Sequence, residues 1–253
     1  MIVVLAALIG WALSLATTQV RNWFVMTDEL YYERLAVSIA QTGSLLPRLH
    51  GELVANANQL YPLLISTVYG DGNVAASLEA AHRMNAFLFV SAAVPVFLLA
   101  RLSGVGRAAS IWAGALAAAV PWAVLSSFLL TEVVAYPAFC WALLAVTYAV
   151  GRSSEAADAL ALAAVGMAVV ARVQLVVLAA VLVAAVLARH VLVAVAEGGR
   201  GRELVGAVAR RFVRRRVLLV AFAAGLIVVG GPIVSDRSAD WLGSYAVTTE
   251  HVR

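Results

Sequence analysis

Asp28-Glu29, Glu132 and Arg172 are isolated ionisable residues in or beside long apolar stretches, and the count of spans returns all of them to one face of a membrane. An unpaired charge in hydrocarbon costs about 2.5–3.5 kcal/mol even on a lenient insertion scale, so charges kept near that depth suggest function. Gathered at one face, two sets of carboxylates and a guanidinium favour chemistry on a membrane-borne substrate. A transporter would instead hold ionisable groups or broken helices near the midplane.

Composition dictates the elements that must position these residues. Hydrophobic residues make up 63% of the 253-residue chain and charged residues 13%, with a mean hydropathy of +0.94. A soluble domain is apolar over only about half its residues, so the chain reads as an integral membrane protein of the cell membrane. Every basic side chain other than histidine is Arg and none is Lys, a coding bias that carries no functional weight. The net charge of +4 comes from Arg210, Arg211, Arg214, Arg215 and Arg216 in one loop between apolar segments. Such a cluster fixes topology or binds anionic lipid rather than nucleic acid. Cys140 is the only cysteine and lies in an apolar run, which rules out an intramolecular disulfide and a thiolate metal cluster. The first segment has no basic n-region and no convincing small-x-small cleavage site closing it before Arg21 and Asn22, so it reads as an uncleaved first span.

Against the ~20 residues a bilayer requires, apolar stretches run over 2–20, 84–100, 109–126, 129–150, 157–171, 173–196 and 217–234. Residues 159–188 are interrupted only by Arg172 and Gln174, so one long helix or two helices meeting at Arg172 could form there. Parity decides. With a cytoplasmic N-terminus, the loops 101–107 and 151–158 lie inside, as the arginine bias prefers, and only two spans through Arg172 also keep the basic segment 189–216 inside. Arg172 then shares the outer surface with the loop 21–83 and the turn at Glu132. The fold class expected is all-α: a single polytopic transmembrane helical bundle over 1–253, with a large first outer loop (21–83) and a cytoplasmic basic loop (197–216).

In the outer loop, Thr27 or Asp28 can cap a helix that stops at Gly43, with Tyr32, Leu35, Ala36 and Ile39 as its apolar stripe. Asp28 precedes Tyr32 by one turn and shares its face. Pro47 and Gly51 break the chain, Tyr61-Pro62-Leu63-Leu64 begins a second short element, and Gly70-Asp71-Gly72 is a turn. Two short amphipathic helices would lie flat on the headgroups, where they can meet a lipid-borne substrate. Within 203–216, Leu204, Val205, Val208 and Phe212 recur at helical spacing with arginines opposite, the pattern of an interfacial helix on anionic lipid. Gly104-x-Gly106-x-x-Ala109 is a turn between spans, with no strand before it, and no Walker loop, His-based zinc motif or Gly-x-Ser-x-Gly elbow occurs.

Each charged motif has a bland alternative. Adjacent carboxylates at a helix start can be dipole and capping partners worth about 0.3–1 kcal/mol. Arg83 can snorkel to headgroups, and Arg172 can be a turn residue paired with Glu132. His50 and His82 lack a spaced partner set and read as surface residues. Trp23, Trp112, Trp122 and Trp141 read as interface anchors, whereas Tyr31 and Tyr61 could stack on a sugar ring.

Taken in order, Asp28-Glu29 after the first span, Tyr32-x-x-x-Ala36, Gly43, Pro47-Arg48-Leu49-His50-Gly51, Tyr61-Pro62-Leu63-Leu64, Leu130-Thr131-Glu132 with Ala135-Tyr136-Pro137, and Ala171-Arg172-Val173-Gln174 form a pattern. It resembles the GT-C membrane glycosyltransferases, in the branch of protein O-mannosyltransferases and lipid A aminoarabinose transferases, and most of all their actinobacterial relatives. The resemblance covers essentially the whole chain. It implies a GT-C-like core and inverting transfer of a sugar from a polyprenyl-phosphate carrier to a lipid, glycan or protein acceptor at the outer face. By that resemblance Asp28 would be the catalytic base, taking the acceptor hydroxyl proton, and Glu29 would orient the acceptor or a cation. Arg172 would grip the phosphate of the leaving carrier with paired hydrogen bonds, with Arg83 a second candidate. Glu132, Tyr61 and Tyr32 complete the expected substrate-binding set. No cofactor is implied with certainty, and a divalent cation requirement stays open.

The chain departs from the pattern in ending at Arg253, soon after its seventh span, where Asp236, Asp240, Trp241 and Tyr245 would begin another outer segment. That reads as a truncated frame or a protein needing a partner. The parity assignment has a direct test: in a Cys140→Ser background, Arg172→Cys should react with a membrane-impermeant thiol reagent added from outside, and labelling from the cytoplasmic side alone would overturn the topology.

Overall fold

The computed structural model describes residues 1–19, 26–49, 52–54, 58–70, 72–218 and 220–221. Arg21, Asn22, Trp23, His50, Gly51, Asp71 and most of the expected seventh span, with Asp236, Asp240, Trp241 and Tyr245 beyond it, lie outside the described residues. The described chain is nearly all helical: α1 (Ile2–Thr17), α2 (Thr27–Thr42), a two-residue hairpin of β1 (Arg48–Leu49) and β2 (Glu52–Leu53), α3 (Leu60–Ile65), α4 (Val74–Val90), α5 (Ala93–Leu102), α6 (Arg107–Ala118), α7 (Glu132–Arg152), α8 (Glu155–Ala171), α9 (Val177–Ala196) and α10 (Gly201–Val213). The antiparallel hairpin pairs Arg48 with Leu53 and Leu49 with Glu52.

Among the described residues three helices are long and apolar enough to cross a membrane: Val74–Leu102, Glu132–Arg152 and Val173–Ala196. Only 22% of the apolar window of the third is buried within the protein, and Trp112, Leu116, Trp122 and Leu192 are 65–69% exposed. Surfaces of that size and character suit lipid rather than water.

The span boundaries differ from those expected, for local reasons. The span expected over 84–100 starts ten residues earlier, at Val74, because Asn73 caps it by accepting the Ala76 N–H at 3.2 Å. Hydropathy is blind to that cap. The same helix is interrupted at Ser91-Ala92, where Pro95 supplies no N–H for the Ser91 carbonyl four residues back. The expected span 109–126 is α6 followed by a 3₁₀ turn over Pro121–Ser127, bent by 46°. Val120 is held extended by the proline after it. The first apolar helix, Ile2–Thr17, is a shorter one. At Arg172 the chain forms two helices rather than one: α8 ends at Ala171 and a 3₁₀ turn over Val173–Val176 leads into α9.

The chain groups into two compact units, Met1–Trp141 with Met167–Val173, and Ala142–Gly166 with Gln174–Arg253. In the first, Ile2, Ala6, Val90, Ala93 and Ala118 form an apolar core that Ile9, Leu13 and Phe97 extend. Small residues allow the helices to approach: a Cβ on Gly10 of α1 would sit 2.8 Å from Phe87 of α4, and one on Gly114 of α6 would sit 2.7 Å from the Ala93 carbonyl oxygen. The stripe of α2 is buried at Tyr32, Leu35, Ala36 and Ile39, and the helix ends at Gly43, whose φ of 66° a side chain rarely adopts.

The second unit is organised by a buried ion pair. Arg215 donates from Nη1 to Asp158 Oδ1 at 2.7 Å and from Nη2 to Ser153 Oγ at 2.7 Å, with side chains only 5% and 0% exposed for Arg215 and Asp158. Ser153 ends α7 in the left-handed region at φ 54°, and Ser154 Oγ accepts the Ala157 N–H at 3.3 Å to start α8. The arginine after α10 is thereby stitched to the α7–α8 turn. Removing one partner of such a pair strands a buried charge, at a cost of about 3–5 kcal/mol. Asp158→Ala should therefore lower the thermal unfolding temperature in detergent far more than Asp158→Ala combined with Arg215→Met, and equal losses would show that the pair does not hold this turn.

Candidate functional site

The site is built on the first turn of α2. Met26 precedes the helix in extended conformation (φ −122°, ψ 142°), and its N–H donates to Glu29 Oε1 at 3.0 Å. The other oxygen, Oε2, accepts the Leu129 N–H at 3.1 Å, a hundred residues away in sequence. Glu29 is 3% exposed. The cap thus lies at Met26 and is supplied by Glu29, not by Thr27 or Asp28. Each backbone N–H given to a buried carboxylate offsets part of its desolvation, and a carboxylate in the first turn also faces the positive helix end.

Asp28 has the opposite environment. It is exposed and makes no hydrogen bond or ion pair among the described residues. One turn on, Tyr32 is buried, with its hydroxyl hydrogen-bonded to the side chains of Thr131 and Asn58 and within the fields of Asp28 and Glu132. Burial pushes the Tyr32 phenol upward, partly offset by those hydrogen bonds, so at neutral pH it keeps its proton. Asn58 Oδ1 in turn accepts the Val173 N–H at 2.9 Å, tying the residues ahead of α3 to the break at Arg172. Arg172 forms an ion pair with Glu132, their side chains 31% and 36% exposed, and Thr131 Oγ1 donates to Glu132 Oε2 at 3.3 Å.

Beneath Tyr32 lies Tyr61, edge-on with ring centroids 5.9 Å apart. Tyr61 is fully enclosed, and its hydroxyl accepts from Asn85 Nδ2 at 3.0 Å. The same amide donates to the Phe128 carbonyl at 2.9 Å. Burial pushes the Tyr61 hydroxyl well up. With no ring face open, Tyr61 supports Tyr32 rather than offering a surface on which a sugar could stack. Tyr31 packs edge-on against Tyr32 from the other side at 5.4 Å and is half-buried.

The structure therefore brings Asp28, Glu29, Tyr32, Tyr61, Glu132 and Arg172 together in one compact unit. Arg83 is not among them: it pairs with Glu79 one turn earlier on an exposed face of α4. His82, expected at the surface, is 2% exposed. Sequence reading missed Asn58 and Asn85. Asn85 carried a usable signal, since an amide in an apolar helix needs a dedicated partner. Asn58 carried none. Among the described residues no group of three His, Cys, Asp or Glu side chains is placed to hold a metal ion.

The division of labour between the neighbouring carboxylates has a measurable consequence. Glu29→Ala removes two charge-assisted hydrogen bonds and should destabilise the protein by about 2–4 kcal/mol, whereas Asp28→Ala should cost no more than about 1 kcal/mol. Thermal unfolding of the two variants in one detergent checks this, and similar losses would erase the distinction. No protein-family model matches the chain, and no curated protein or solved structure is significantly similar to it.

Proposed function

We propose that this chain is an integral-membrane glycosyltransferase of GT-C type, which moves a sugar from a polyprenyl-phosphate carrier to an acceptor at the outer face of the membrane with inversion. The single observation that carries the reading is the exposed carboxylate of Asp28, set beside a buried twin and sharing a cluster with Tyr32, Glu132 and Arg172. A carboxylate that keeps one helix turn in place cannot readily move a proton as well. Asp28 carries no such duty.

In the reaction, Asp28 accepts the proton of the acceptor hydroxyl as its oxygen attacks the anomeric carbon. The bond from that carbon to the carrier phosphate breaks on the opposite face, and the phosphate leaves with the electron pair. Arg172 neutralises the charge that develops there, since a guanidinium matches two phosphate oxygens at once. The phosphate would share that guanidinium with Glu132 or displace the carboxylate, which a partly exposed pair permits. Tyr32, buried and hydrogen-bonded to Thr131 and Asn58, holds the floor of the cluster beside Asp28. The N-terminus is cytoplasmic in this reading and the site faces outward. A divalent cation is not needed for any of these steps, and the reading leaves room for one beside Asp28.

A rival reading is a non-catalytic subunit that moves lipid-linked sugars. It draws on the interruption at Ser91-Ala92 and the 46° bend before Pro121, because broken helices line transporter sites. One assay separates the two. Membranes expressing the chain should transfer radiolabelled sugar from polyprenyl-phosphate donors, and Asp28→Asn should reduce the rate about 10²–10⁴-fold, the share a positioned general base supplies, with membrane insertion unchanged. Arg172→Ala should weaken donor use in the same assay. Full turnover by Asp28→Asn would remove the base, and carrier binding without transfer by the unaltered chain would favour the transporter subunit.

A further inference from the structure

The basic segment after α9 does more than coat a lipid surface. A cavity of about 300 Å³ opens in the second unit, lined by Glu155, Arg189, His190, Arg211, Arg214 and Arg215. Its charges are unevenly matched. Arg211 pairs with Glu197 and Arg215 with Asp158, whereas Arg189 and Arg214 have no ion pair among the described residues. Glu155 is the lone carboxylate in the lining, so the balance at the cavity is positive.

Two buried nitrogens on this lining also lack partners. His190 is 6% exposed, and neither its Nε2 nor Arg211 Nη1 has a hydrogen-bond partner among the described residues. Arg215 Nε is in the same state, but so is Asp158 Oδ2 in the same ion pair, so those two can serve each other and point to no ligand. A buried donor left unsatisfied costs about 1–3 kcal/mol. His190 Nε2 and Arg211 Nη1 line a cavity of positive charge, and a ligand with negative charge and several acceptor oxygens would satisfy both.

We propose that this cavity is a phosphate-binding site, in which His190 and Arg211 donate to phosphate oxygens while Arg189 and Arg214 supply the neutralising charge. Guanidinium groups match phosphate oxygens in pairs, and no residue of the glycosyltransfer cluster takes part. The phosphate can belong to a lipid headgroup or be free in solution, and the chemistry at the site is the same.

The test uses the full chain, delipidated in dodecyl maltoside micelles, which carry no phosphate. Inorganic phosphate and short-chain phosphatidic acid are titrated separately, with affinities read by isothermal titration calorimetry for every variant and the His190 ring nitrogens, assigned with His190→Gln, followed by NMR in the unaltered chain. Arg189→Gln/Arg214→Gln should weaken binding about tenfold or more, because hydrogen bonds to charged groups are worth about 1.5–3 kcal/mol and 1.4 kcal/mol is tenfold. Arg210→Gln/Arg216→Gln removes the same charge from arginines outside the lining and should change binding less than about threefold, the size of screened surface electrostatics. Saturation by inorganic phosphate identifies free phosphate as a ligand, and saturation by phosphatidic acid alone identifies a headgroup. Either upholds the site. Equal losses in the two double variants, or no saturable binding of either probe, overturn it. If the first double variant does not fold, His190→Gln, which keeps every arginine, must still weaken binding, and unchanged affinity there also overturns the site.

Discussion

The cluster around Asp28 and Arg172 depends on one carboxylate. Glu29 gives one oxygen to the N–H that precedes its own helix and the other to the Leu129 N–H ahead of α7. A buried ion is tolerated only when hydrogen bonds replace the water it has lost, and two backbone donors at a positive helix end do this. The bridge fixes α2 in rotation as well as position. Successive residues on a helix differ by about 100°, so with Glu29 turned inward, Asp28 must point elsewhere and Tyr32 comes round to the same side as Asp28. Asp28 lies one turn before Tyr32, at the open end of that side, and is exposed.

From that anchor a polar chain runs through the interior. The Phe128 carbonyl and the Tyr61 hydroxyl share the Asn85 amide, the Tyr61 ring supports Tyr32, and the Tyr32 hydroxyl meets Thr131 and Asn58. Asn58 closes the chain on the Val173 N–H. Linked hydrogen bonds in a low dielectric strengthen one another and make mismatched arrangements expensive. The network gives Asn58, just ahead of α3, a fixed relation to the break at Arg172, which neither hydrophobic contact nor helix propensity would specify.

Much of this was legible in residue types. The stripe of Tyr32, Leu35, Ala36 and Ile39, the stop at Gly43 and the break at Arg172 follow from periodicity, a left-handed cap and a charge inside an apolar run. The ion pair of Arg172 with Glu132 was one of the alternatives open for that arginine. What failed was local. Apolarity cannot see Asn73 capping a helix eleven residues before Met84, nor the proline that bends the chain after α6. It also cannot tell which of two adjacent carboxylates is buried, because that depends on Leu129, whose approach no local pattern announces. Over 203–216, spacing put the arginines on one polar side, yet Arg211 lines a cavity and Arg215 is buried. The acids that draw these two inward, Glu197 and Asp158, lie outside the helix itself.

Arg172 and Arg215 make the same ion pair to different ends. Arg215 and Asp158 are almost wholly enclosed, and Ser153 and the Ala149 carbonyl take further guanidinium donors. Exchanging the carboxylate for a ligand would strand a buried charge, so that pair is confined to holding the turn. Arg172 and Glu132 are each about one-third exposed. Water already reaches both groups, which lowers the net worth of their contact towards that of a surface pair, about 0–1 kcal/mol. A dianionic phosphate can compete for a guanidinium bound that weakly, and the displaced Glu132 would stay solvated rather than buried. Exposure, more than residue type, is what separates an arginine that can exchange partners from one that cannot.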